Sequence, residues 1–243
     1  MRIQLLSDLH FEFHHDNGQS FIRSLDPRGV DVLVLAGDIA GADGLFDALR
    51  MICRQFHDSP VIYVYGNHEF YHASLLRICP IARMVESHMP NFHWLENSII
   101  QLDGFRFLGA TLWFPRSDAD RKTKLLLNDF NCIQDFESWV YDENLKAVGF
   151  LRQNLQPGDI VVTHHIPSPS CVSERYKDSA LNPFFVCDLT KLILERRPRL
   201  WMFGHTHDTI EATIGVTEMR CNPFGYAYRN LNPRFQDRLI IEV

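Results

Sequence analysis

Five short segments of this 243-residue chain end in side chains that bind metal ions or transfer protons. In chain order they are SDLH, AGD, GNHEF, THH and GHTH. The candidate residues that they supply are Asp8, His10, Asp38, Asn67, His68, His164, His205 and His207. Carboxylate, amide and imidazole donors without a thiolate suit Mn²⁺, Fe or Zn²⁺. The sequence therefore predicts a metal centre built from distant parts of the chain.

The GHTH segment shows why these donors must leave their strands before they can act together. His205 and His207 are two residues apart and would make a poor pair of ligands within an extended strand, whereas a turn after Gly204 lets both approach the same point. We expect donors from the other four segments to reach that point too.

The five segments supply at least seven good metal ligands, which is too many for one tetrahedral ion. They suit two ions about 3.5–4 Å apart, bridged by a carboxylate, as in two-metal hydrolytic sites. Two divalent cations outweigh the negative charge of Asp8 and Asp38, because the other donors are neutral. Such a site is cationic and attracts an anion such as phosphate.

In this order, the five segments resemble the calcineurin-like metallophosphoesterase superfamily, whose pattern is D-x-H, GD, GNH-D/E, H and GH-x-H. The resemblance extends from Asp8 to His207 and implies a β-sandwich flanked by helices, with the metals at one end. It implies a first metal held by Asp8, His10 and His207, a second held by Asn67, His164 and His205, and Asp38 bridging both. It also implies that His68 contacts phosphate and protonates the leaving oxygen, and that a hydroxide between the metals is the nucleophile.

The chain departs from that pattern at one position. Some members of the superfamily carry an aspartate three residues after the bridging aspartate, where it orients the histidine of the GNH segment. Gly41 stands there in this chain. Asp43 or Glu69 could substitute, or His68 could act without an orienting partner.

Buried strands and amphipathic helices alternate along the chain. Apolar runs at 3–8, 32–38, 61–67, 159–165 and 200–205 are typical of strands covered on both faces. Helix-length segments fall at 44–57, 72–88, 142–155 and 186–197. The loops after such strands gather at one sheet edge, where α/β folds bind ligands. This edge is where the five segments would meet.

Two further segments predict antiparallel pairs. Residues 98–112 surround Asp103-Gly104, a favoured type I′ hairpin signal, and Gly215 marks a second turn. The sequence thus predicts an α/β fold with a mixed sheet or two stacked sheets and helices outside. Without a repeat or a linker, we expect a single domain over residues 1–243.

Composition narrows the classes of partner. The formal net charge of −6 argues against broad contacts to nucleic acid phosphates, so duplex nucleic acid is not expected. The six cysteines have no C-x-x-C spacing and predict reduced thiols in a cytoplasmic protein. No run approaches the ~20 apolar residues of a membrane span. The oligomeric state is left open.

A long polar segment, residues 167–185, directly follows the predicted ligand His164. Loops of this length are often functional, so it is a candidate substrate wall, although a plain surface excursion is equally compatible. Its candidate substrate contacts are Arg175, Tyr176, Lys177 and Asn182, and His165 could line the site without binding metal.

The sequence therefore predicts an enzyme that hydrolyses phosphomonoesters or phosphodiesters, with a small phosphate ester or nucleotide as substrate. The alternative is a non-catalytic scaffold that uses the same fold to bind partner proteins. A scaffold would be expected to have lost ligands, whereas this chain keeps the full set together with His68.

Overall fold

The computed structural model describes residues 1–243 and contains thirteen strands and seven α-helices. The strands are β1 (Arg2–Leu6), β2 (Val32–Ala36), β3 (Val61–Val64), β4 (Phe92–Trp94), β5 (Ser98–Leu102), β6 (Phe105–Ala110), β7 (Ile160–Thr163), β8 (Leu200–Phe203), β9 (Ile210–Ile214), β10 (Thr217–Cys221), β11 (Gly225–Tyr226), β12 (Asn230–Leu231) and β13 (Ile240–Glu242). The helices are α1 (Gln19–Ser24), α2 (Leu45–Gln55), α3 (Leu75–His88), α4 (Arg121–Leu125), α5 (Asp129–Cys132), α6 (Phe136–Asn154) and α7 (Thr190–Arg196).

Two large mixed sheets account for most strands. The first has the order β13-β1-β2-β3-β4 and the second the order β5-β6-β7-β8-β10-β9. In the first, β1 to β4 are parallel and β13 joins β1 antiparallel; in the second, β6, β7, β8 and β10 are parallel. The predicted α/β class with two stacked sheets is confirmed.

Side chains from both sheets form the core between them. Alternate residues such as Val34 of β2 and Met202 of β8 belong to this inner core, whereas Leu33 and Leu35 point to the other face of the first sheet. This alternation follows from the two-residue period of a strand. Because helices cover both outer faces, the strands are buried on each side, which explains their continuous apolar runs.

The helices cover the sheets through regular apolar faces. In α2, the buried residues Leu45, Ala48, Leu49 and Ile52 recur at the helical spacing and pack in the core outside the first sheet. Helix α6 packs outside the second sheet through residues such as Ala147 and Leu151. None of the helices combines the length and the apolar character of a membrane span.

The predicted hairpin between β5 and β6 has the expected turn. Asp103 and Gly104 have φ of 45° and 84°, and both positive values are those of a type I′ turn. The second predicted pair is β9 and β10, joined through Gly215 with φ 64°.

Parallel strands bring the five segments together. Strands β1, β2 and β3 are adjacent in the first sheet, and β7 and β8 are adjacent in the second. Each runs directly into one of the five segments at its carboxyl end. The site is therefore at one end of the sandwich, where loops from both sheets meet.

Candidate metal centre

Two groups of buried donor atoms share one carboxylate. The first group contains Asp8, His10, Asp38 and His207, and all four ligand atoms lie within 4.8 Å of one another. The second contains Asp38, His164 and His205, whose ligand atoms also lie within 4.8 Å of one another. Asp38 belongs to both groups through one oxygen, because Oδ2 lies 3.7 Å from His10 Nε2 and 3.5 Å from His164 Nε2, whereas Oδ1 accepts the backbone N–H of His68 at 2.8 Å.

Within the first group, the histidines already point at a common centre. His10 Nε2 and His207 Nε2 are 3.0 Å apart, and His207 Nε2 is 3.5 Å from Asp8 Oδ1. Burial, followed by the neighbouring His10, lowers the pKa of His207 to about 3. The ring is thus neutral at physiological pH, which is the form that binds metal.

In the second group, the donors surround His164. Its Nε2 is 3.0 Å from Asn67 Oδ1, 3.2 Å from His205 Nδ1 and 3.5 Å from Asp38 Oδ2. Its Nδ1 is 2.9 Å from the carbonyl oxygen of Ala36, so this nitrogen donates and Nε2 is left for the centre. Burial opposes protonation, but Asp38 raises the pKa of His164 to about 10. A cation binding here must displace that proton.

Asn67 is fixed by a carboxylate from a distant helix. Its Nδ2 donates to Asp129 Oδ1 at 2.8 Å, and the hydroxyl of Tyr71 donates to the same oxygen at 2.8 Å. The bond holds the amide with Oδ1 facing His164. Asp129 is fully buried, and burial raises its pKa.

Glu69 ties the loops after β2 and β3 together. Its carboxylate accepts hydrogen bonds from the backbone N–H of Asp38, Ile39 and Gly66, at 3.1, 2.8 and 2.9 Å, and from the hydroxyl of Tyr63 at 2.9 Å. The side chain therefore positions the Asp38 segment beside the Asn67 segment. Its role is internal to the scaffold, because its carboxylate binds these four groups and makes no hydrogen bond to the His68 ring.

Glycines allow these loops to approach closely. A Cβ on Gly66 would lie 2.1 Å from Asp38 Oδ1, and a Cβ on Gly204 would lie 2.7 Å from the oxygen of Ala36 and 2.8 Å from Asp8 Oδ2. Either methyl group would displace a ligand or the backbone beside it. These two glycines are needed for space between the loops, beyond any role in a turn.

Five of the seven candidate ligand residues share an unusual backbone conformation. The φ values of Asp8, His10, Asp38, His205 and His207 are 52°, 48°, 56°, 71° and 52°. This left-handed region is uncommon for residues other than glycine, and strain of this kind concentrates at functional sites. It turns each donor out of its strand direction, which is how two histidines two residues apart serve one centre.

Glu12 holds His68 at its Nδ1 nitrogen. Glu12 Oε1 is 3.2 Å from Nδ1 of His68 and 3.2 Å from Nδ1 of His10, and the backbone N–H of Gly41 donates to Oε2 at 3.0 Å. Burial opposes the ionised form, but the hydrogen bonds from the two histidines hold the pKa of Glu12 at about 2. The carboxylate is therefore charged.

The substitutes considered from the sequence do not fill this role. Asp43 accepts a hydrogen bond from Arg77 at 2.5 Å, and Glu69 is occupied by the loops after β2 and β3. Both expectations about the orienting partner were wrong, as was the possibility that His68 has none, because the partner comes from the loop after β1.

Tyr226 contacts the ring nitrogen of His68 that Glu12 does not contact. Its hydroxyl is 3.1 Å from His68 Nε2, and its ring centroid is 4.6 Å from those of His10 and His207. The Gly225 N–H donates to the carbonyl oxygen of Asp8 at 2.9 Å, which anchors the hairpin of β11 and β12 over the centre.

The residues proposed as substrate contacts have different environments. Tyr176 and Asn182 line a cavity that also contains Asp38, Asn67, His68, His205 and His207. Arg175 instead pairs with Asp208 at 3.3 Å and covers the ring of Tyr176, and Lys177 pairs with Glu174 at 3.4 Å. His165 is fully buried behind the site, with its ring centroid 4.3 Å from that of His205 and 5.0 Å from that of Trp113.

Sequence reasoning missed Glu12, Asp129, Tyr226 and Phe185, whose ring centroid is 4.4 Å from that of His205. For Glu12 a signal existed, since the glycine at position 41 implied that the carboxylate had to come from elsewhere. The other three carry no local motif.

Comparison with known proteins agrees with this geometry. The family model for calcineurin-like phosphoesterases matches residues 1–209. An uncharacterised protein of Acanthamoeba polyphaga mimivirus is 29% identical over 273 residues, covering 96% of this chain and 95% of the viral protein.

Solved structures share the fold at low sequence identity. Phosphopantetheinyl hydrolase from Mycobacterium tuberculosis aligns with a TM-score of 0.71 and 16% identity, over 92% of this chain and 89% of that one. A dimetal phosphatase from Danio rerio aligns with a TM-score of 0.52 and 14% identity, over 93% and 88%. With five donor segments in order and the family match over most of its length, this chain belongs to the calcineurin-like phosphoesterase family.

Proposed function

We propose that this protein hydrolyses phosphoric esters at a centre that holds two metal ions. The observation that carries the proposal is the position of Asp38, whose carboxylate is common to both groups of donor atoms. A structural ion pair does not require two separate sets of buried histidines around one carboxylate. Two cations give every one of those donors a partner.

The donor set fits such ions by its chemistry. His205 Nε2 is a buried nitrogen without a hydrogen-bond partner, and the groups combine oxygen and imidazole ligands without thiolate. Asp8, His10 and His207 would hold one ion, Asn67, His164 and His205 the other, with Asp38 between them. Bound there, Mn, Fe or Zn ions would neutralise phosphate charge and activate water as the nucleophile.

His68 is the general acid in this proposal. Glu12 accepts the Nδ1 proton, which leaves Nε2 to face the substrate side, where Tyr226 now lies. Burial disfavours the imidazolium, but Asp38 and then Glu12 raise the pKa of His68. As the bond between phosphorus and the leaving oxygen breaks, the Nε2 proton moves to that oxygen and a neutral alcohol departs.

Two of the similar structures support this reaction class, since one is a phosphopantetheinyl hydrolase and the other a dimetal phosphatase. The acidic net charge supports a small phosphate ester or nucleotide over duplex nucleic acid as substrate. The six unpaired cysteines support a cytoplasmic location.

Metal analysis followed by an ester screen tests the proposal. We expect about two equivalents of Mn, Fe or Zn per chain, and Mn²⁺-dependent hydrolysis of an aryl phosphate or its diester. Asp38→Ala and His68→Ala should each abolish this activity. A folded, metal-loaded protein that is inert on all mono- and diesters tried would favour the scaffold alternative instead.

A further inference from the structure

The cavity beside the metal centre has a volume of about 310 Å³ and a largely neutral wall. Its apolar lining includes six side chains that we call the outer wall: Leu126, Leu127, Val172, Tyr176, Leu181 and Phe185. Asn128 and Asn230 add uncharged amides to the same cavity. A molecule bound here would therefore meet both apolar surface and neutral hydrogen-bonding groups.

No lysine or arginine lines this cavity. Three cationic residues adjoin lining residues along the chain, since Arg175 and Lys177 flank Tyr176 and Arg229 precedes Asn230. Arg175 is paired with Asp208 and Lys177 with Glu174, and Arg229 is exposed and is not part of the lining. None of the three thus lies in the cavity as a cationic partner for a second anionic group on the substrate.

We propose that the alcohol part of the substrate is uncharged and partly apolar, so that the site prefers esters with a single phosphate group over polyphosphates and esters of acidic alcohols. This inference rests on the proposed function. One phosphate can be held by the metal centre, whereas a second anion in the outer cavity would lose its hydration without gaining a cationic partner. Such a missing partner is how a site discriminates against a competing ligand.

A matched pair of substrates tests the preference. 4-Carbamoylphenyl phosphate and 4-carboxyphenyl phosphate have nearly the same shape, but the distal group is neutral in the first and anionic in the second. We expect kcat/KM to favour the neutral ester by about tenfold. Equal values, or a preference for the carboxylate, would overturn the inference.

A positive charge placed in the outer wall should weaken the preference for the neutral ester. Leu126 is 70% exposed, so Leu126→Arg introduces a cation at the cavity with little disturbance of packing. We expect this variant to remove most of the preference. Leu76 is 86% exposed and lies outside the cavity, and Leu76→Arg is the matched control that should keep it. Identical behaviour of both arginine variants would contradict the role of the outer wall.

A binding measurement tests the preference for a neutral alcohol part independently of the proposed reaction. The phosphonates 4-carbamoylbenzylphosphonate and 4-carboxybenzylphosphonate need no hydrolysis, and calorimetry with Mn²⁺-loaded protein compares their affinities. Tighter binding of the amide supports the inference even if every ester is left intact, in which case only the proposed function fails. Equal binding overturns it even if esters are hydrolysed.

Discussion

Glu12 Oε1 lies 3.2 Å from Nδ1 of His68 and makes an equal contact with Nδ1 of His10. One carboxylate thus contacts a candidate metal ligand and the proposed general acid together. Gly41, which occupies the position of the orienting aspartate in some relatives, contributes its N–H to the other oxygen of Glu12. The carboxylate at His68 Nδ1 therefore comes from the loop after β1 and not from position 41.

Removing the Glu12 carboxylate should slow catalysis more than it weakens substrate binding. We expect Glu12→Ala to lower kcat by about 10- to 100-fold at saturating metal, because His68 loses the partner that fixes its proton. Glu12 raises the pKa of His68, so its loss should lower that pKa. Since the acid must be protonated, the alkaline limb of the pH–kcat profile should move to lower pH.

A relocated carboxylate provides the control for this assignment. A Cβ on Gly41 would lie 3.6 Å from Glu12 Cβ, in ordinary contact, so an aspartate can occupy the space that Glu12→Ala vacates. The double variant Glu12→Ala/Gly41→Asp should recover a large part of kcat and of the original pH profile. If it recovers neither, the carboxylate acts through something other than His68.

Loss of the Tyr226 hydroxyl should lower kcat/KM. The hydroxyl lies 3.1 Å from His68 Nε2, the atom from which the proton is proposed to move to the leaving oxygen. A hydrogen bond to a charged group contributes about 1.5–3 kcal/mol, so Tyr226→Phe should lower kcat/KM by about 10- to 100-fold. Tyr228→Phe is the matched control, because Tyr228 is 73% exposed in the same hairpin. Equal losses in both variants would assign the effect to the hairpin's stability.

Asp129 should act through metal affinity. It holds the amide of Asn67, and partners of metal ligands typically contribute 10- to 100-fold to affinity, so we expect a loss of about that size in Asp129→Ala. Asp129→Asn keeps an oxygen acceptor and should restore most of it, as measured by competition with a metallochromic indicator. If the asparagine variant binds metal as poorly as the alanine variant, the orientation of Asn67 is not the cause.

The shared position of Asp38 predicts unequal losses of metal. Asp38→Ala removes a donor from both groups, whereas His207→Ala removes one from the first group alone. By plasma mass spectrometry after gel filtration, the first variant should retain well below one ion per chain and the second about one of the two. Equal retention by the two variants would contradict a bridging carboxylate.

Two glycine substitutions should have opposite effects. Gly66→Ala places a methyl group against Asp38, so it should lower both metal content and the melting temperature. Gly149 lies within α6 with no atom within 4 Å of an added Cβ, and Gly149→Ala should raise the free energy of unfolding by about 0.5–1 kcal/mol. Thermal denaturation of the metal-loaded variants measures both, and a stabilised Gly66→Ala would refute the close approach.

Much of the fold could be predicted because its central strands are buried on both faces. Strands β2, β3, β7 and β8 form continuous apolar runs, and each is followed closely by a residue that can bind a metal. Short edge elements such as β4 and β13 lacked that signal, because they have three residues each and are only partly buried. Their place depends on the neighbouring strand more than on their own sequence.

The residues missed in the site act across long stretches of chain. Glu12 meets His68 from 56 positions away, Asp129 meets Asn67 from 62, and Tyr226 meets His68 from 158. A spacing rule detects donors that follow strands in a fixed order, but contacts of this kind exist only once the loops have folded over one another. The candidate metal ligands could be proposed from the sequence because each follows its own strand end.

The left-handed backbone at Asp8, His10, Asp38, His205 and His207 has a consequence for the lifetime of the protein. Each such residue carries a conformational cost on the order of 1 kcal/mol or more, and cations that draw the five donors together would offset it. In a cell with little available transition metal, more of the protein would be metal-free. Its site loops would then be held less firmly, and proteases would cleave it sooner. Limited proteolysis before and after chelation would reveal such a dependence of degradation on metal supply, and an unchanged digestion rate would disprove it.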